Sequence, residues 1–333
     1  MVRLMIALSC ALALAATPLR AEAQVENGIL AIPAFSFSFS TAYLAEDAGI
    51  WGKNGLAMKS VQIAGVGATN AVIAGSADFA IASPLTLTRA AAHGQRLLAI
   101  AQTLDRLFVE LVIKKDIAAA AHFDAKAPLE KRAQILKGRT IAVESINSII
   151  HAYVRLLAHR AGLDYDDVKI AVMQPNAMIA AFDTGQIDGF AMSLPWPLVP
   201  AVAGTGVIVA SGLAGDPPDM VPFGHNVIVT LPATCENRRS LCAKTGKSFA
   251  DAAAFMLDHP ADALALLAKR FPTVDRKVLD AAFKEARDAT PRVPAPTLKA
   301  LENAETYNVD AGLMKPEDRL KNFDGLYTDA FVK

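Results

Sequence analysis

Two widely separated stretches of the chain carry the same order of features, and this repetition constrains the fold more than any other property. Residues 61–84 read as a strand, the polar turn Thr69-Asn70-Ala71, a short helix, Gly75-x-x-Asp78-Phe79-Ala80 and then Ser83-Pro84. Residues 168–195 read as a strand, Pro175-Asn176-Ala177, a short helix, Gly185-x-x-Asp188-Gly189-Phe190-Ala191 and then Ser193-Leu194-Pro195. Each glycine is placed to end its helix in a left-handed conformation. Each aspartate then stands at the start of a strand, a structural role. One α/β design is used twice.

The rest of the chain fits that design. Strand candidates at 28–34, 58–64, 79–82, 98–103 and 108–114 alternate with helical patterns that stop at Gly49, Gly75 and Gly94. A charged, Ala-rich stretch at 114–137 interrupts the alternation. It resumes with strands at 140–143, 168–173, 189–192, 207–210 and 226–231, and helices closed by Gly162 and Gly185. From Cys235 onward the pattern is almost wholly helical. Strand–helix alternation of this kind argues for mixed sheets covered on both faces by helices.

Composition narrows the classes. The 333 residues are 53% apolar and 20% charged, enough to bury full cores. Lys+Arg and Asp+Glu are both 33, so no basic excess drives nucleic-acid binding. Residues 1–23 read as a secretory signal peptide: Arg3, an apolar run over 4–16 that falls short of the roughly 20 residues of a membrane span, and a cleavage site at Ala21-Glu22-Ala23. Cys10 would leave with it. No later stretch reaches the length of a span, so no stable membrane insertion is expected, and the mature chain is expected to be soluble and exported. In an oxidising compartment Cys235 and Cys242 are disulfide candidates. Carried on one unbroken helix they would stand about 10 Å apart, too far to bond. Both outcomes stay open.

Four motifs in order carry a family resemblance. Residues 37–56, with Ala45-Glu46-Asp47-Ala48-Gly49-Ile50-Trp51 and Asn54-Gly55-Leu56, resemble the opening of the periplasmic substrate-binding proteins of ABC importers, the nitrate/sulfonate/taurine and thiamine-precursor class. Gly75-Ser76-Ala77-Asp78-Phe79-Ala80, Leu136-Lys137-Gly138-Arg139-Thr140-Ile141-Ala142-Val143 and residues 155–163 resemble later segments of the same class. The resemblance covers roughly residues 28–230. It implies a type II clamshell of two α/β lobes, each a mixed sheet flanked by helices, with a helical C-terminal tail. Lobe 1 would hold 24–114 plus 224–333 and lobe 2 would hold 138–211, with crossover segments at 115–137 and 212–223. It also implies a periplasmic, monomeric protein that binds a small molecule and docks on a membrane permease. A periplasmic ligand sensor is the alternative.

Ligands of open α/β sheets bind beyond the carboxyl ends of the strands. The pocket loops are therefore 35–41, 65–70, 83–86, 144–148, 174–177 and 193–196. They are rich in Ser, Thr, Asn and Gln, contain Glu144 as their one charge, and hold no Lys or Arg. From the first lobe the candidate ligand-binding residues are Phe37, Ser38, Phe39, Ser40, Gly67, Thr69 and Ser83. From the second they are Ser145, Asn147, Ser148, Asn176, Ser193 and Trp196, joined by His225 on the returning crossover. Helix starts near Ser40, Thr69 and Ser148 suit an anionic group without a counter-charge. The expected ligand is a monoanion or a neutral compound: a sulfonate or carboxylate with an apolar body, or a pyrimidine-like ring. Neither cofactor nor metal is expected.

The residues of an enzyme are not assembled. Gly65-x-Gly67-x-x-Asn70 departs from a dinucleotide fingerprint at its third glycine and at its place in the fold. No Gly-x-Ser-x-Gly, His-Glu-x-x-His or phosphate-loop pattern occurs. The cysteine-rich motif of the eukaryotic, thiamine-precursor-making branch is also missing.

Overall fold

The computed structural model describes residues 25–333; the expected signal peptide and Cys10 lie outside the described residues. Ten strands form: β1 Glu26–Ile32, β2 Leu56–Gln62, β3 Phe79–Ala82, β4 Leu98–Gln102, β5 Glu110–Lys114, β6 Thr140–Val143, β7 Lys169–Val172, β8 Gly189–Met192, β9 Gly206–Ser211 and β10 Val227–Thr230. They make two five-stranded sheets of matching order, β2-β1-β3-β10-β4 and β7-β6-β8-β5-β9. In each sheet the first three strands are parallel, and the fourth position is filled by an antiparallel strand.

Period-two alternation divides each strand between two cores. In β1 and β3, Leu30, Ile32, Phe79 and Ile81 pack toward helix Ser40–Asp47 and helix Arg239–Asp258. Ala31, Ala80 and Ala82 face helix Gly67–Ile73 and helix Pro84–Ala92. In the second sheet Leu111, Ile113, Ile141 and Val143 face helix Ile149–Arg160, while Phe190 and Met192 pack with Met178 and Phe182 of helix Pro175–Asp183. Burial on both faces is why these strands read as nearly continuous apolar runs.

The repeated motifs do the same work in both sheets. Gly75 (φ 72°) and Gly185 (φ 75°) are left-handed helix ends. The Asp78 carboxylate accepts from the Ile29 backbone N–H at 2.8 Å, and the Asp188 carboxylate accepts from the Thr140 N–H at 2.8 Å. Each aspartate ties its strand to the parallel neighbour in its own sheet, β3 to β1 and β8 to β6.

One expectation is corrected. The sequence pattern places the 108–114 strand in the first lobe, with the crossing at 115–137. It pairs instead with β8 and β9 in the second sheet, so the chain crosses at 103–109. Residues 115–137 decorate the second sheet, burying Ala118, Leu129, Ala133 and Leu136 in its core. An apolar strand of this kind carries no mark of which sheet it joins. Antiparallel pairing with two strands far along the chain decides it. The return crossing lies between β9 and β10.

In the C-terminal segment the helix breaks at Arg238 (φ −131°, ψ 55°), between helix Pro232–Asn237 and helix Arg239–Asp258. That break brings Cys235 and Cys242 to a Cα–Cα distance of 5.5 Å, and they form a disulfide. The last long helix, Leu298–Asp310, touches both lobes. Its Asn308 amide donates to the Leu85 carbonyl at 2.9 Å, and its Asp310 carbonyl accepts from the Tyr165 hydroxyl at 3.3 Å. Among the described residues, no helix is long and apolar enough to cross a membrane.

Candidate functional site

Loops from the carboxyl ends of strands in both sheets meet around one small cavity. The first lobe contributes Ser36, Ser38 and Phe39 after β1, Gly65, Val66 and Thr69 after β2, and Ser83 and Thr86 after β3. The second contributes Glu144, Ser148, Ile149 and Ile150 after β6, and Met192 and Ser193 at the end of β8; His225 and Asn226 come from the returning crossover.

Local chemistry sets each of these in place. Ser83 and Ser148 are N-caps that accept from the backbone N–H of Thr86 and His151, each at 3.2 Å. Ser36 and Ser38 share a hydrogen bond of 2.6 Å, and Asn226 donates its side-chain amide to the Ser38 carbonyl at 2.7 Å. The lobes also touch around the cavity. Phe37 N–H donates to the Leu194 carbonyl at 2.8 Å, and Trp196 Nε1 donates to the Phe35 carbonyl at 2.7 Å. Arg89, on the first lobe, donates to the Asn147 carbonyl of the second at 2.7 Å and to Asn308 Oδ1 at 2.6 Å. The two lobes are therefore closed on each other.

Of the residues expected from sequence, the structure brings Ser38, Phe39, Thr69, Ser83, Ser148, Ser193 and His225 together on the cavity wall. The others serve elsewhere. Phe37 is fully buried and packs edge-on against Phe271 at 4.8 Å. The Ser40 hydroxyl donates to the Phe37 carbonyl at 2.6 Å, and Gly67 begins a helix. Ser145 sits at the rim opposite Gly65. Asn147, at φ 61°, gives its carbonyl to Arg89. Asn176 is exposed on the second lobe. Trp196 is buried and is held by its indole N–H. Ser36, Thr86 and Asn226 were missed as candidates. Ser36 and Thr86 lie within loops that strand direction marks, and Asn226 follows His225 at the start of the expected strand 226–231.

Electrostatics distinguish three groups. Burial pushes the Glu144 carboxyl up to about 7, against the pull of its own backbone N–H and the Ser148 hydroxyl. Its Oε2 has no hydrogen-bond partner. Burial holds His225 down at about 3, so its ring is neutral at ordinary pH. Phe108 N–H donates to His225 Nδ1 at 3.2 Å, which leaves the proton on Nε2, facing Ser193 Oγ at 3.5 Å. His225 in this tautomer donates to Ser193 and cannot serve it as a general base. Arg89 is lowered to about 10 by burial and stands outside the cavity wall. Among the described residues no Lys or Arg lines this cavity, and no cluster of His, Cys, Asp and Glu is arranged to hold a metal.

The geometry has parallels among known proteins. The family model described as "NMT1/THI5 like" matches residues 36–263, more than half of the chain. The structure is similar to the alkanesulfonate-binding protein SsuA from Xanthomonas axonopodis pv. citri bound to MOPS, with 17% identity, 89% of this chain and 96% of that chain covered, and TM-score 0.69. It is similar to the periplasmic aliphatic sulphonate binding protein SsuA from Escherichia coli, with 18% identity, coverage of 86% and 91%, and TM-score 0.64. It is also similar to the periplasmic nitrate-binding protein NrtA from Synechocystis PCC 6803, with 12% identity, coverage of 92% and 86%, and TM-score 0.66. Among curated protein sequences none matches significantly. The two helix-flanked mixed sheets are the type II periplasmic-binding-protein fold.

Proposed function

The chain belongs to the NMT1/THI5-like family, and from that premise we propose that it is the exported, periplasmic substrate-binding subunit of an ABC importer, capturing one small organic molecule between two closing lobes and docking in the closed form on its permease. The observation that carries this reading is the shared cavity. Its wall draws polar side chains from both lobes, so a ligand that contacts Ser38, Thr69 and Ser83 on one side and Glu144, Ser148 and Ser193 on the other favours closure. The proposal includes no catalytic step: the tautomer of His225 withholds the base that Ser193 would need as a nucleophile.

Small-angle scattering tests it. A compound that raises the melting temperature should also reduce the radius of gyration. Binding with an unchanged radius refutes capture by closure.

A further inference from the structure

We propose that Glu144 is the ligand-selecting group of this cavity, and that it takes a small protonated nitrogen base, such as an amine, amidine or guanidine, on an apolar or flat body. The inference rests on the capture reading above and narrows it.

Glu144 lies at the end of β6 with 7% of its surface exposed, and it lines the cavity. Burying a carboxyl is unfavourable unless both oxygens find donors. One oxygen, Oε2, has none. Among the described residues no Lys or Arg lines the cavity beside it. His225, across the cavity, is neutral, and His151, on the helix that begins at Ile149, is held down at about 4 by burial and by Arg155 and Arg89. Arg89 is committed to Asn147 and Asn308. Oε2 is closed off from solvent as well as unpaired, so a donor carried by the ligand reaches it as the lobes close around both.

The same arrangement argues against the anionic ligand expected from sequence. The N-terminus of helix Ile149–Arg160 attracts negative charge. Glu144, which also takes the Ser148 hydroxyl, already supplies it. A sulfonate or carboxylate would have to share the closed cavity with this carboxyl, with no Lys or Arg on the wall to separate the two charges. A protonated base meets the carboxylate directly. Ile149, Ile150, Val66 and Met192 can cover its apolar body, and the hydroxyls of Ser83 and Ser193 remain for its polar edge.

Thermal shift and titration calorimetry on wild type and Glu144→Gln test this with six probes: benzylamine, benzamidine, methylguanidine, benzoate, ethanesulfonate and nitrate. At least one base should raise the melting temperature at pH 8, the anions should not, and Glu144→Gln should weaken the base by about ten- to hundred-fold, the range for one charged hydrogen bond. Base affinity in wild type should rise with pH as Glu144 ionises, and the rise should vanish in Glu144→Gln. Glu144→Asp, which keeps the charge but withdraws it, should weaken the base without admitting the anions. This keeps the test decisive if the amide variant does not fold. Anions that bind wild type and bind Glu144→Gln more tightly overturn the assignment while leaving capture standing, and so does the failure of every base to bind. A base that binds through Glu144 without changing the radius of gyration upholds the assignment and removes the capture reading.

Discussion

Replacing Glu144 by Gln should make the ligand-free protein more stable at alkaline pH than at acidic pH, relative to wild type. The native carboxyl sits at about 7 and its ordinary value is 4.5. A native value above the unfolded one means that the folded state holds the proton more tightly. The associated stability is complete below pH 4.5 and is lost as pH rises through about 7. At about 1.4 kcal/mol per pH unit, the full loss in wild type is about 3 kcal/mol, of which about 2 to 3 falls between pH 5 and pH 8. Gln has nearly the same shape and no proton to lose, so it avoids this penalty. Glu110, also raised to about 7 by burial, titrates in both proteins and cancels, as do His151 and His225. Urea denaturation of both proteins at pH 5 and pH 8 measures the difference directly. The Gln variant should gain about 2 to 3 kcal/mol on wild type between the two conditions. A stability difference that is the same at both pH values refutes the argument, because the buried carboxyl would then not be carrying the charge assigned to it. A more stable protein that has lost its ligand is the expected sign of a group kept for binding.

Gly65→Ala should impede closure. Its φ is +55°, and an added Cβ would lie 2.5 Å from Ser145 Cβ on the opposite lobe, so scattering should show less ligand-induced compaction than in wild type, and equal compaction would sink the idea. Arg89→Met removes the bonds to Asn147 and Asn308; it should destabilise the closed pair by about 1.5–3 kcal/mol and weaken ligand binding, and unchanged affinity would show that the latch contributes nothing. Replacing Cys235 and Cys242 together by Ser opens a short loop of sequence separation 7; the loss should be about 2–3 kcal/mol in denaturant unfolding, and no shift in the midpoint would contradict the chain-entropy account.

Local patterns in the chain are enough to locate the strands and their duplication. Most strand segments are local apolar runs, and Gly75 with Asp78, and Gly185 with Asp188, mark matching helix ends and strand starts, because left-handed turns and strand-edge carboxylates have local signatures. Five of the six expected pocket loops line the cavity, since they follow from strand direction alone; 174–177 does not reach it. Tertiary structure decided what depends on partners distant in the chain. Leu111, Val112 and Ile113 are buried on both faces, so only pairing with β8 and β9 assigns their strand to the second sheet. In the Phe-Ser alternation of 35–40, which side chains face the cavity depends on Phe271 claiming Phe37 and Asn226 fixing Ser38. Glu144 was seen as the one charge in the loops, but its meaning needed the closed lobes. A carboxyl becomes a ligand-selecting group when folding removes its water and leaves an oxygen without a partner, and neither condition is written in the residues around it.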